Sequence, residues 1–426
     1  MRNLFLVLAL FLSIPVYAVA VTRYEVSGGN GIWGSTTNWS TSSGGASGSS
    51  APVAGDTAYF DGNSGNISLG ADANCAVIGC TTAVTGSVAN YNGTIDLSTH
   101  KLTVTGNVTL SSTTASTGTG ALTITGSQTL TANGATWTPP LTFATGVGTV
   151  VVSGNWINTG LVTVGASTAL NLSAAETFRC NGGISNSTVS ILSGNINLVI
   201  AGGNWSCGNQ TSDIAVSNVF IDGNVTLTSS VGTTGNITYT SGSVTGASYY
   251  WTIYGSCTIN SVNGGNSLTF PNMDFVNGPT VTLASDLAIT NHLRVYSVTT
   301  TLSGAHNISC GTLSCQFVGT AAGPTLVIPV GQTLTIANGI KIGGTNPPSG
   351  AKYTATILIK SSSASSAATI AYNGGIANCL CFECYFTYIN ATPNNIANIG
   401  GTSGMLSNCT GIINTVPFLN VMGGGQ

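Results

Sequence analysis

Eleven acidic side chains are the first place to look for chemistry in this 426-residue chain. Glycoside cleavage needs two carboxylates ~5–9.5 Å apart. Asp72 and Asp96 lie nearest to a shared spacing, and Asp213/Asp222 and Asp274/Asp286 fall out of phase with any common face. Lyase chemistry would add a base beside bound calcium, but Arg179, Arg294, Lys341, Lys352 and Lys360 are scattered. His100, His292 and His306 show no metal spacing. His292 sits near Asp286 and Arg294, yet no Ser or Cys around them forms a nucleophile motif. The expectation is a protein without catalytic residues. Asp56 and Asp61 suit either calcium, through carboxylates and loop carbonyls, or turn hydrogen bonds. Calcium is the one cofactor these residues allow.

The eleven cysteines leave three readings open. Cys75/Cys80, Cys310/Cys315 and the Cys379, Cys381, Cys384 cluster are close enough in sequence to be disulfide candidates in an oxidising compartment. Cys381-x-x-Cys384 has zinc-knuckle spacing but lacks a second knuckle. A buried thiol also packs as a small hydrophobe.

Aromatic side chains are the better guide to recognition. Trp156, Trp205 and Tyr249-Tyr250-Trp251 sit at or near turns, where exposed rings would stack on sugars. The alternative is that they fill corners of the core. Thr-x-Thr pairs recur at Thr103/Thr105, Thr123/Thr125, Thr129/Thr131, Thr280/Thr282, Thr299/Thr301 and Thr333/Thr335. A flat, unbroken Thr face would suit ice binding, but the ladder lapses where Phe143 and Ala144 intervene.

The elements that must carry these residues are repetitive. Leu102-Thr-Val-Thr-Gly-Asn-Val-Thr-Leu110 recurs in frame as Leu122-Thr-Ile-Thr-Gly-Ser-Gln-Thr-Leu130, and variants begin at Leu141 and Leu161. Gly106-Asn-Val-Thr-Leu110 returns at Gly223. Period-two patterning puts apolar chains on one face and hydroxyls on the other. Gly and Asn tolerate φ > 0, so Gly-Asn marks the corners. Short strands and corners repeating at about 20 residues predict an all-β fold, a right-handed parallel β-helix or β-solenoid of about fifteen coils. Stacked ~4.8 Å apart, they would make an elongated rod.

Composition agrees. Only 4% of residues are charged while 42% are apolar, so a core is buried and solubility rests on hydroxyls and amides. Eight Lys plus Arg exclude a phosphate-neutralising nucleic-acid surface. Arg2, the apolar run Leu4–Ile14 and small residues up to Ala18 read as a cleaved export signal, 1–18, too short for a membrane span. An aromatic N-terminal cap follows at 19–70, with Trp33 and Trp39 beside Asp56 and Asp61. Solenoid repeats fill 71–375, and 376–426 holds a Cys- and aromatic-rich end with a Gly-ending apolar tail.

Trp33-Gly-Ser-Thr-Thr-Asn38-Trp39-Ser40, followed by Pro52-Val-Ala-Gly-Asp56 and Phe60-Asp61, resembles an N-terminal module of large bacterial surface proteins and phage virion proteins. The repeats resemble autotransporter-passenger and tail-fibre solenoids. The resemblance implies display outside a cell or on a virion, with adhesion or host contact as the role. The functional expectation is therefore a secreted or surface-displayed structural or adhesive protein that contacts glycans or a host surface, with a homo-oligomer as a further partner arrangement. A virion fibre or spike with glycan-degrading activity is the first alternative and ice binding the second.

Overall fold

The computed structural model describes residues 19–81, 89–166, 168–172, 176–186, 192–206, 214–262, 268–296, 298–316, 324–342, 357–375, 378–382, 384–393, 396–399 and 406–415. The expected export signal and the Gly-ending tail lie outside them, as do Asp213, Lys352 and Glu383. The chain divides into two compact units, Met1–Pro139 and Pro140–Gln426, so the expected boundary at 70 falls inside the first. Both are built as parallel β-solenoid, about 13 turns in all against the fifteen expected.

The repeat explains the coil. In unit 1, Leu102–Val104 pairs in parallel with Leu122–Ile124, placing Leu102 beside Leu122, Thr103 beside Thr123 and Val104 beside Ile124. The apolar residues of both strands are fully buried and the threonines between them face outward. Each fully buried Leu, Ile or Val favours folding by about 1.5–3 kcal/mol. Coil length is not fixed at twenty. It is 18 residues from Val219 to Ile237 and 22 from Ile237 to Ile259.

Unit 1 opens with Thr22–Glu25, which pairs antiparallel with Trp39–Ser40 and parallel with Thr57–Phe60. Its second sheet has four parallel strands: Asn30–Ile32, Asn66–Ser68, Thr94–Asp96 and Ala115–Thr117. Trp33, Trp39, Phe60 and Tyr91 pack together between the sheets, with ring centroids 5.1 to 6.4 Å apart along the chain of contacts. The expected cap aromatics thus form the core of the first coils.

Unit 2 carries longer strands. Leu268–Phe275, Leu287–Tyr296, Ile308–Gln316 and Thr333–Ile342 stack in parallel. The register of each pair shifts once, between Phe270 and Asn272, Ile289 and His292, and Cys310 and Thr312. Such bulges bend a strand and re-aim the side chains that follow.

Gly-Asn does mark corners, but for another reason than left-handed backbone. Gly65, Gly106 and Gly223 do not have positive φ. A Cβ on Gly65 would fall on the Gly29 backbone, and one on Gly223 on the Ala201 carbonyl. The asparagine then bridges to the next coil. Asn66, Asn107, Asn236 and Asn307 accept the backbone N–H of Thr94, Thr129, Thr258 and Thr333 at 2.8–2.9 Å. Each such bond is worth about 0.5–1.5 kcal/mol.

Gly65→Ala should therefore cost about 1–3 kcal/mol, while Gly34→Ala, which meets open space, should stay within about 0.5 kcal/mol of wild type. Urea midpoints of the two variants check this. Equal midpoints would show that coil contact does not require the glycine.

Candidate binding site

Stacking gathers residues one coil apart into columns. Thr252, Asp274, Arg294, Ser314 and Lys341 stand in register on successive strands of unit 2. Asn272, His292 and Thr312 form the neighbouring column. Met273, Leu293 and Val295 point into the core, so both columns lie on the opposite side of the strands, where Thr252, Asn272, Asp274 and Ser314 are covered and His292, Arg294 and Lys341 reach the surface.

Arg294 and Asp274 form a two-pronged ion pair. Nε donates to Oδ1 at 2.6 Å and Nη2 to Oδ2 at 2.5 Å. The guanidinium carbon lies 3.4 Å from the centroid of the Tyr250 ring and 5.2 Å from that of Tyr296. Cation and rings thus attract, with the charge already balanced by the carboxylate. Tyr250 is further tied through its hydroxyl to His292 Nδ1 at 2.9 Å, and His292 Nε2 meets Ser314 Oγ at 2.6 Å. Asn272 Nδ2 donates to the carbonyls of Ala247 and Tyr249 at 2.8 Å each, which holds the loop presenting the tyrosines.

Burial sets the protonation. It raises Asp274 against the lowering pull of Arg294. Burial is also the largest single influence on Arg294 and opposes its charge, but the bond to Asp274 together with the Asp274, Tyr296 and Tyr250 charges holds that group up. Burial, then the Arg294 and Lys341 charges, push His292 down to about 4. Burial lifts Tyr250, and pushes Tyr296 up to about 12. At neutral pH the patch is a neutral imidazole and two phenols beside one ion pair, with the Lys341 charge next in the column.

Ser314 beside His292 invites a nucleophile reading, but the geometry serves positioning. Ser314 is 0% exposed, so its hydroxyl has no face for a substrate. The second imidazole nitrogen faces a phenol rather than an orienting carboxylate, since Asp274 belongs to Arg294.

The binding aromatics expected from sequence divide. Trp156, Trp205 and Trp251 are fully buried, which corrects their placement at exposed turns. Trp205 meets Trp251 edge to face at 4.8 Å, and Trp251 meets Phe270 at 5.0 Å. Their large apolar area fills the core between coils. Tyr249, 37% exposed, and the part-buried Tyr250 remain at the surface.

The disulfide candidates are also corrected. Cys75, Cys80, Cys310, Cys315, Cys379, Cys381 and Cys384 are buried and none is in a disulfide. Cys75 stacks on Val104, and Cys80 on Phe60. These thiols occupy inward columns as small hydrophobes, and burial pushes Cys75, Cys80 and Cys310 up to about 12. Cys379 and Cys381 sulfurs approach to 3.6 Å. Among the described residues, no three His, Cys, Asp or Glu side chains assemble as a metal-ligand set. Asp56 accepts from Val21 and Val53 N–H, and Asp61 from Asn63 N–H, so both carboxylates close turns.

The Thr-x-Thr face is short. Thr103 and Thr123 stack in unit 1 with Thr105 and Thr125 beside them, while in unit 2 Thr142 and Thr163 stand beside Ala144 and Gly165. A second ion pair spans two coils, with Arg179 Nη1 2.5 Å from Asp222 Oδ2. Sequence reading missed both pairs because it sought acid beside acid. The usable signal was one-coil spacing of opposite charges, as from Asp274 to Arg294. Asp286, the expected neighbour of His292, instead accepts from Asn307 N–H.

No family model, curated protein or solved structure matches this chain.

His292 gives a pH test. An unfolded imidazole binds its proton near 6.5 and the folded one only near 4. Between those values the unfolded chain holds more protons, so stability present above 6.5 drains away as pH falls towards 4. Urea midpoints of His292→Gln should lose less than wild type between pH 7 and pH 4.5. Identical slopes would place the acid sensitivity elsewhere.

Proposed function

We propose that this protein is an exported, surface-displayed adhesive solenoid that holds glycans on the face built by Tyr249, Tyr250, Arg294 and Tyr296. One observation carries the reading: an arginine clamped by Asp274 and lying against two tyrosine rings, on a chain that otherwise offers hydroxyls and amides. Ring faces stack on the carbon-rich faces of sugars. The Arg294 side chain keeps about a fifth of its surface open, 22%, so N–H groups remain for sugar hydroxyls. Clamping fixes both rings before a ligand arrives, which lowers the ordering cost of binding.

The N-terminal resemblance and the leader-like first residues support display outside the cell. A virion fibre would share the N-terminal resemblance and the solenoid, but an export leader sits awkwardly with it. Glycan cleavage asks for more, namely two carboxylates across one groove. Asp222 and Asp274 are each taken by an arginine.

A glycan array with the mature chain tests the reading. Wild type should bind at least one glycan class, and Tyr296→Ala and Tyr249→Ala should each weaken it by up to about tenfold. Binding by neither wild type nor variants, or equal binding by all, would defeat the proposal.

A further inference from the structure

The four-stranded sheet of unit 1 carries a groove of about 330 Å³ on its face. Register builds it. Ile67 and Ile95 pair and point into the core, while the residues on either side of them point out. Two polar rails result: Asn30, Asn66 and Thr94 on one side, and Ser68, Asp96 and Thr117 on the other. Successive strands lie ~4.8 Å apart, so each rail offers a polar group at that interval.

The polar groups are held in place. Asn66 Nδ2 donates to Asn30 Oδ1 at 2.9 Å, and Asn66 Oδ1 accepts Thr94 N–H at 2.8 Å. That arrangement leaves the Asn30 amide hydrogens facing solvent. Asp96 Oδ1 accepts Ser98 N–H at 2.9 Å and Thr117 Oγ1 at 3.1 Å, and Oδ2 accepts Ser98 Oγ at 3.2 Å. The Ser98 N–H bond, with the hydroxyls, keeps Asp96 below the usual carboxylate range. The carboxylate retains a free lone pair, and the Thr117 oxygen can accept as it donates. Ile32, 54% exposed, stands in register with Ser68 and adds an apolar contact at the end of that rail.

Polar groups held by one another line a track beside one apolar side chain. Such a track fits hydroxyl-rich rings joined end to end. No lysine or arginine lines the groove, and its one charge is negative, so phosphate, sulfate and uronate are disfavoured. We propose that this groove is a second ligand site, separate from the tyrosine–arginine face, that binds an uncharged linear polysaccharide.

Affinity electrophoresis of the full chain tests this. Gels contain hydroxyethylcellulose, laminarin or galactomannan as neutral probes, and polygalacturonate as the acidic one. At least one neutral polymer should retard the wild type, and polygalacturonate should not. Asn30→Ala and Thr117→Val each remove one hydrogen-bonding group and should weaken the retardation about fivefold. Ile32→Ser, at an exposed position, gives an independent loss and guards against a variant that misfolds. Tyr296→Ala should leave the groove-dependent retardation in place, which separates this proposal from the one above. Retardation by polygalacturonate alone, by no neutral polymer, or unchanged in all three groove variants would overturn it.

Discussion

Everything in this molecule follows from parallel strands hydrogen-bonded in register, each coil laid on the one before. That constraint decides which residue types are allowed where. An inward residue is usually apolar because it stacks on its counterpart one coil away, as Leu102 does on Leu122, with a few buried polar exceptions such as Asn158 and Thr233. Where backbones touch at a corner, the residue must be glycine, as at Gly65 and Gly223. A corner asparagine then satisfies the N–H of the next strand, which would otherwise face the turn unpaired. The outward residue is released from these demands and is free to carry chemistry.

The same register builds the candidate site. Asp274 and Arg294 meet because they occupy one column, although twenty residues separate them, and Ser314 stands next in that column against His292. Arg294 loses hydration where it is half-buried, and the two-pronged pairing with Asp274 compensates for that loss. The pairing also balances the Arg294 charge beside its two tyrosines. The unit 1 groove reaches a similar end without a cation, through amides and hydroxyls that fix one another.

The solenoid was legible because its cause is local. Alternating Thr with Val, Ile or Leu announces strands, and the in-frame return at twenty residues announces their stacking. The site was less legible. Arg294 and Asp274 look scattered until a coil is measured, and coil length varies enough, 18 to 22 residues around Ile237, to blur the phase. Trp156, Trp205 and Trp251 misled because a tryptophan near a turn is either a binding surface or a corner filler, and only burial separates the two. The cysteines misled for a similar reason. Nearness in sequence says little in a solenoid, where Cys75 and Cys80 end two different strands and stack on Val104 and Phe60.

The fold and both sites depend on that coil-to-coil register, and cross-linking reads it directly. Thr282 and Ser303 are register partners with their hydroxyl oxygens 2.8 Å apart. Backbones at such separation suit a disulfide. With cysteine placed at both, mild oxidation should join the two peptides in a mass-spectrometric map. Cysteines at Thr282 and Thr301, two residues out of register on the same face, should stay apart. Equal cross-linking of both pairs, or of the second alone, would contradict the stacking on which the fold and both sites rest.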